Sequence, residues 1–184
     1  MARNKTRVST ANYVTFGYGQ VEPNHLSAQR TGRIYAQLPA AGDIQVLEQG
    51  QFVKYDYANN VVNYTGDGEW MLVYNEIKIY RNEETDADFA LLKENFTGSV
   101  TSAYPTYSVD DRLMTPRVFA TLPGDIYTTN CVKEDTLAVG DLLTPGADGF
   151  LAKAGADAAA MQWKVVKLTT MPDNQKAVKL MRIK

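Results

Sequence analysis

Hydrophobic positions along this chain alternate with polar ones over short stretches, then halt at Pro, Gly, Asn or Asp. That is the pattern of short, half-buried strands joined by tight turns. Ile34, Ala36 and Leu38 fall on one face of such a strand, and Val118, Ala120 and Leu122 on one face of another. Pro39 and Pro123 stop each ladder. Gly42-Asp43 and Gly124-Asp125 then supply turn chemistry, with Gly free to take φ > 0 and Asp able to bond a nearby backbone N–H. Beyond each turn a second short strand leads to Gly50 or Gly140, and an apolar strand follows. Asn59-Asn60 and Asp148-Gly149 stand where a hairpin needs residues that tolerate the left-handed region. Four or five short strands per run predict a small barrel or sandwich.

The two runs resemble each other. Aligned with a two-residue gap, Arg33, Ala36, Leu38, Pro39, Gly42, Asp43 and Ile44 are identical to Arg117, Ala120, Leu122, Pro123, Gly124, Asp125 and Ile126. Leu47–Val53 then resembles Leu137–Leu143, and Ala58–Val62 resembles Ala147–Leu151. The only two tryptophans fall in register, Trp70-Met71-Leu72-Val73 against Trp163-Lys164-Val165-Val166. The expected fold class is therefore mainly β: two diverged copies of a small β-barrel or sandwich module, with a short helix between them and an extended N-terminal arm.

Four stretches follow from this reading: an arm and lead-in strand over 1–29, module copy one over 30–80, a short helix and linker over 81–116, and module copy two over 117–184. Val14, Phe16 and Tyr18 alternate in the lead-in strand. Thr85-Asp86-Ala87-Asp88 caps a helix running through Lys93, with Phe89, Leu92 and Phe96 at helical spacing. Ala154–Ala160 is either a small-residue loop or a helical turn. The chain closes with a hairpin, Val165 to Met171 and Val178 to Ile183, turned at Pro172-Asp173-Asn174.

Composition narrows the function classes. The chain has 184 residues, 45% hydrophobic and 22% charged, with net charge −2, which suits a packed globular protein. Phosphate affinity needs a basic excess, so nucleic acid is not an expected partner. No apolar run reaches bilayer length and the basic start lacks an apolar segment after it, so neither membrane insertion nor a signal peptide is expected and synthesis is placed in the cytoplasm. Cys131 is the only cysteine, which excludes an intrachain disulfide.

Candidate chemistry is sparse. His25 is the single histidine and sits in a turn-like context without a nucleophile motif. No His/Cys cluster has zinc-ligand spacing, and the acidic patches Glu83–Asp88 and Asp110-Asp111 lack a full calcium loop. Asp43 and Asp125 recur in both runs, but a structural Asx role after Gly explains both. The expectation is a protein that is not an enzyme, with no catalytic residue, no metal and no cofactor. The residues that define the repeat are Arg33, Pro39, Gly42, Asp43, Gly50, Trp70, Arg117, Pro123, Gly124, Asp125, Gly140 and Trp163.

Arg117-Val118-Phe119, Gly124–Asn130, Val139–Leu143 and Ala147–Leu151 together resemble head-decoration and other small virion proteins of tailed bacteriophages, which share a Gly-Asp followed by aliphatics, an Asp-Gly turn and another aliphatic. The resemblance covers 117–168 best, and 33–74 through the repeat. It implies a cement role on the capsid exterior, with the major capsid protein lattice as partner and self-association into a homo-oligomer possible in principle. It also implies an N-terminal arm lying along the shell, in which Arg3, Lys5 and Arg7 contact the capsid. Many such proteins carry one module and form trimers; two modules in one chain leave the oligomer open. A carbohydrate- or receptor-binding module of a phage tail or fibre is the alternative, which exposed tyrosines would suit.

Overall fold

The structure, a computed structural model, describes residues 13, 19–44, 46–74, 91–92, 115–154, 161–172 and 174–184. Arg3, Lys5 and Arg7, the alternating Val14, Phe16 and Tyr18, and nearly all of the linker lie outside the described residues.

Short apolar runs bounded by turn residues become strands, as the alternation predicts. In chain order these are β1 (Val21–His25), β2 (Ile34–Tyr35), β3 (Val46–Leu47), β4 (Phe52–Asp56), β5 (Val61–Asn63), β6 (Met71–Val73), β7 (Leu91–Leu92), β8 (Val118–Phe119), β9 (Ile126–Thr129), β10 (Leu142–Pro145), β11 (Leu151–Lys153), β12 (Trp163–Thr170) and β13 (Lys176–Arg182). A single helical turn, α1 (Ala28–Thr31), follows β1 and ends at Gly32 in the left-handed region. The protein is mainly β. A five-stranded antiparallel sheet runs β2-β8-β6-β4-β5, a six-stranded one runs β1-β9-β13-β12-β10-β11, and β3 pairs with β7.

Neither sheet closes into a barrel. Each curls until one isolated parallel bridge touches its far strand, Ala40 to Val62 in the first and Val132 to Leu151 in the second. Other hydrogen bonds recur between the sheets. Gly50 N–H donates to Val73 O at 2.9 Å as Gly140 N–H does to Val165 O at 2.8 Å. Ala41 N–H donates to Val62 O as Lys133 N–H does to Leu151 O, both at 2.9 Å. Ala120 N–H donates to Arg33 O at 3.1 Å, and Arg182 N–H to Asp125 O at 2.9 Å.

Two expectations are corrected here. The Arg33 and Arg117 strands are not in equivalent places: β8 lies in the first sheet, where Ile34 faces Phe119 and Tyr35 faces Val118. The first sheet therefore takes in Val118-Phe119 from beyond the linker. Met71 faces Val53 and Trp163 faces Leu143, and Trp70 is half-buried. Finally, a helix reaching Lys93 is incompatible with Leu91-Leu92, which pair antiparallel with Val46-Leu47; the rest of that segment lies outside the described residues.

Two cores explain the pattern. Val53, Tyr55, Val62, Met71, Val73, Val118 and Ala120 fill the inside of the first sheet. Phe52, Leu72 and Phe119, the alternate positions, point the other way and join Tyr127, Leu143, Leu151, Trp163, Val165 and Leu180 of the second sheet in one shared core. Covering both faces is why β6 and β8 read as unbroken apolar runs. Phe52 meets the Trp163 ring at 5.9 Å between centroids, and Tyr127 meets it edge-on at 4.8 Å. Each buried aromatic contributes about 1.5–3 kcal/mol, so the two sheets form a single packed body.

One turn design is used three times. In Leu122–Asp125, Asp125 N–H returns to Leu122 O at 3.0 Å while the Asp125 carboxylate accepts Leu122 N–H at 2.9 Å. Ala138–Asp141 repeats it at 3.1 and 2.9 Å, and Glu48–Gln51 does so with the Gln51 amide oxygen, at 3.2 and 2.9 Å. The third residue is Gly124, Gly140 or Gly50, each with φ between 94° and 100°, the type II geometry that excludes side chains. Gly42-Asp43 departs from expectation: Gly42 does not take positive φ, and Asp43 is exposed.

Candidate functional site

Where the two sheets meet, polar side chains are buried and bonded across long sequence separations. Glu48, 1% exposed, accepts Gly19 N–H at 3.0 Å. Gln51 donates its side-chain amide to Tyr64 Oη at 2.9 Å and to Asp148 O at 2.6 Å. Gln20 N–H reaches Asn130 Oδ1 at 2.7 Å, and Thr129 Oγ1 donates to Gln20 O at 2.7 Å. Buried groups bonded in this way tie residues 19–20, 48–51, 64, 129–131 and 148 into one seam. Backbone approach at the seam is close: a Cβ on Gly149 would sit 2.0 Å from Phe52 O.

Cys131 lies inside this seam with no exposure, its N–H donating to Thr129 Oγ1 at 3.0 Å. Burial, and then the charges of Glu48 and Asp148, push its thiol pKa well above the ordinary 9.0. A thiolate nucleophile is therefore disfavoured there. Burial, then the Asp148 charge, raises Tyr64 to about 12. His25 is exposed at the end of β1, facing Ile126. Among the described residues no group of three or more His, Cys, Asp or Glu could hold a metal ion.

The N-terminal region is fastened to the second sheet. β1 pairs antiparallel with β9, with a register shift between Glu22 and His25, and Pro23 sits within that irregularity, blunting the outer edge. Ser27 gives both its N–H and its hydroxyl to the Asp125 carboxylate, each at 2.9 Å. Tyr13 is buried in the shared core, with Lys176 Nζ 6.0 Å from its ring centroid.

The repeat-defining residues divide by role. Gly50, Gly124 and Gly140 make the three like turns, Pro123 is the second residue of one of them, and Pro39 O accepts Val62 N–H at 2.7 Å beside the Ala40 bridge. Asp125 is buried and joins distant segments, whereas Asp43 does not. Arg33 pairs with Glu69 at 2.8 Å on the surface, and Arg117 stacks over Phe119 at 5.1 Å. Trp70 lies under Lys54 Nζ at 4.9 Å, and Trp163 is wholly buried.

Sequence reasoning missed Arg182. It is 9% exposed and donates to Thr121 O and Oγ1 and to Lys184 O. Burial lowers its pKa, with Glu69 and Asp125 opposing. The signal was present: Val178, Leu180 and Arg182 alternate on the inward face of β13. Tyr55, buried in the first core, meets Tyr35 and Tyr57 edge-to-face at 6.2 and 5.7 Å, and Tyr57 at the β4–β5 turn is 71% exposed.

Comparison of the chain with protein-family models, with curated proteins and with solved structures found no match.

Proposed function

We propose that this chain is a non-enzymatic virion structural protein that binds the outer surface of a phage capsid and bridges shell subunits. The observation that carries this reading is the fastening of the N-terminal region. Tyr13 is buried in the shared core, so the basic residues Arg3, Lys5 and Arg7 precede a fixed anchor on a stiff body. A packed two-sheet body suits a clamp between neighbouring subunits.

We also infer that the two sheets are diverged copies of one module, with boundaries unlike those the sequence suggests. Ile34, Tyr35 and Ala40 correspond to Ile126, Tyr127 and Val132, β4 to β10, β5 to β11, β6 to β12, and β8 to β13. The recurrent hydrogen bonds and paired bridges support it. On this reading copy one is 33–74 with 115–121, and copy two is 125–184. Two like units on one body give avidity for a repeating lattice, because the second contact becomes intramolecular.

A carbohydrate- or receptor-binding role in a tail or fibre is the second reading, favoured by the exposed Tyr57 ring beside Tyr55. Co-sedimentation with assembled shells lacking this protein separates the two. Saturable binding at lattice stoichiometry, reduced when residues 1–10 are removed, supports decoration and assigns the arm. Absence of shell binding at micromolar protein, with glycan binding that Tyr57→Ala abolishes, supports the alternative.

A further inference from the structure

The two sheets differ in what their faces meet. Both faces of the first sheet enter a core, with Val53, Val73 and Val118 on one side and Phe52, Leu72 and Phe119 on the other. In the second sheet Tyr127, Leu143, Trp163, Val165 and Leu180 enter the shared core. The alternate residues Ile126, Leu142, Lys164, Lys179 and Met181 belong to neither core. They form the outer face of that sheet.

Register sets this face in two rows. His25, Ile126, Met181, Lys164 and Leu142 stand side by side across five strands, with Ile126, Met181 and Leu142 half-buried. Glu22, Thr128, Lys179 and Lys167 make the second row. Lys167 lies directly opposite Lys179, and like charges so placed repel. Among the described residues Lys164, Lys167 and Lys179 make no ion pair or hydrogen bond. Glu22, the one carboxylate of the two rows, is two strand spacings from Lys179, about 10 Å. Asp141, next to Leu142, is held by Lys153 Nζ at 3.1 Å.

We propose that this outer face docks on a shell subunit, through Lys164, Lys167 and Lys179 around the apolar Ile126, Met181 and Leu142, against a patch of carboxylates beside exposed apolar side chains. This rests on the capsid reading. Three ammonium groups against one carboxylate make the two rows electropositive, although the whole chain carries −2. An Asp or Glu set between Lys167 and Lys179 replaces their repulsion by two attractions. A second copy docked by the same face about a two-fold axis would set these lysines against their own counterparts. A phosphate backbone supplies no apolar area for Ile126, Met181 and Leu142, whereas a protein surface does. Tyr13, the anchor that follows the basic arm, lies 6.0 Å from Lys176 Nζ on β13, so the arm joins the body at the hairpin that bears this face.

Co-sedimentation with assembled shells lacking this protein tests the face with three variants. Lys167→Glu puts a carboxylate opposite Lys179. It should keep or raise the melting temperature while weakening shell binding by about tenfold or more. Lys167→Arg should bind as the parent does. Lys54→Glu makes the same charge change on the first sheet and should bind within about twofold of the parent. Amine acetylation of the parent, read by mass spectrometry, should find Lys164, Lys167 and Lys179 reactive in the free chain and protected on shells. That result decides should Lys167→Glu fail to fold. Shell binding that Lys167→Glu leaves unchanged, or that leaves those lysines reactive, overturns the face and leaves the capsid reading standing. Equal losses in Lys167→Glu and Lys54→Glu overturn it in favour of overall charge. Protection in the free chain that grows with concentration overturns it in favour of a second copy. Absence of shell binding overturns both readings, and retention on duplex DNA or anionic vesicles would then name a phosphate partner.

Discussion

Ser27 and Asp125 are 98 residues apart in sequence, yet Ser27 donates both its N–H and its hydroxyl to the one carboxylate, each at 2.9 Å. The same carboxylate closes its own turn by accepting Leu122 N–H at 2.9 Å. One buried side chain thus fixes a turn of the second sheet, the start of α1 and, through β1, the fastening of the N-terminal region. Its charge also lies near the buried Arg182 guanidinium, whose pKa it helps to hold up against burial.

Replacing Asp125 by Ala should destabilise the fold by about 3 kcal/mol, since it strands two buried N–H donors and a buried cation. Asp43→Ala, at the position aligned with it by sequence, should change stability by less than about 0.5 kcal/mol. Urea unfolding of the two variants measures the contrast; equal losses would mean that the two aspartates share a role.

Gly149 and Gly124 both have positive φ, 76° and 95°, but only Gly149 is pressed against another segment. Gly124→Ala meets nothing within 4 Å and should cost about 1 kcal/mol from backbone strain. Gly149→Ala must also displace Phe52 O, and should lower stability by about 3 kcal/mol or more. Thermal melts of the pair give the ordering.

Tyr127 Oη is buried without a hydrogen-bond partner among the described atoms. An unpaired buried hydroxyl is destabilising, so Tyr127→Phe should raise stability at neutral pH by about 1 kcal/mol. A loss of comparable size would mean that the hydroxyl is bonded.

Stability should fall at alkaline pH. Burial holds the folded pKa of Cys131 above the ordinary 9.0, and that of Tyr127 above 10.0, while Tyr64 is raised to about 12. Each unfolds to a group that loses its proton more readily, so their stabilisation is complete below about pH 9 and declines as pH rises toward 12. Tyr64→Phe should flatten the decline between pH 10 and 12 in chemical unfolding at stepped pH. On the acid side, hydrogen bonds from Asn59 to Asp56, and from Ala138 N–H to Asp141, hold both carboxyls below the ordinary 3.8. Their contribution is present above that pH and is lost below it. Both groups are exposed, so the effect is small.

Much of the fold was legible in the sequence because its turns are chemically marked. Gly124-Asp125 and Gly140-Asp141 are type II turns capped by their own carboxylates, the Asn60 and Gly149 hairpins take the left-handed conformation, and the final hairpin forms over 163–182. What escaped was tertiary. Ile34-Tyr35 and Val118-Phe119 pair with each other across one sheet, and likeness of sequence cannot show which strands are neighbours. Leu91-Leu92 read as helical by spacing, but pairing with Val46-Leu47 decided for strand. Of the candidate site, Arg182 was visible as a cation on an inward alternation.

Electron microscopy of assembled shells, with and without added protein, addresses the central claim most directly. The account predicts additional two-lobed density on the outer face, repeated at lattice positions and bridging neighbouring subunits. Shells that remain bare at saturating protein, or density confined to the tail, would contradict it.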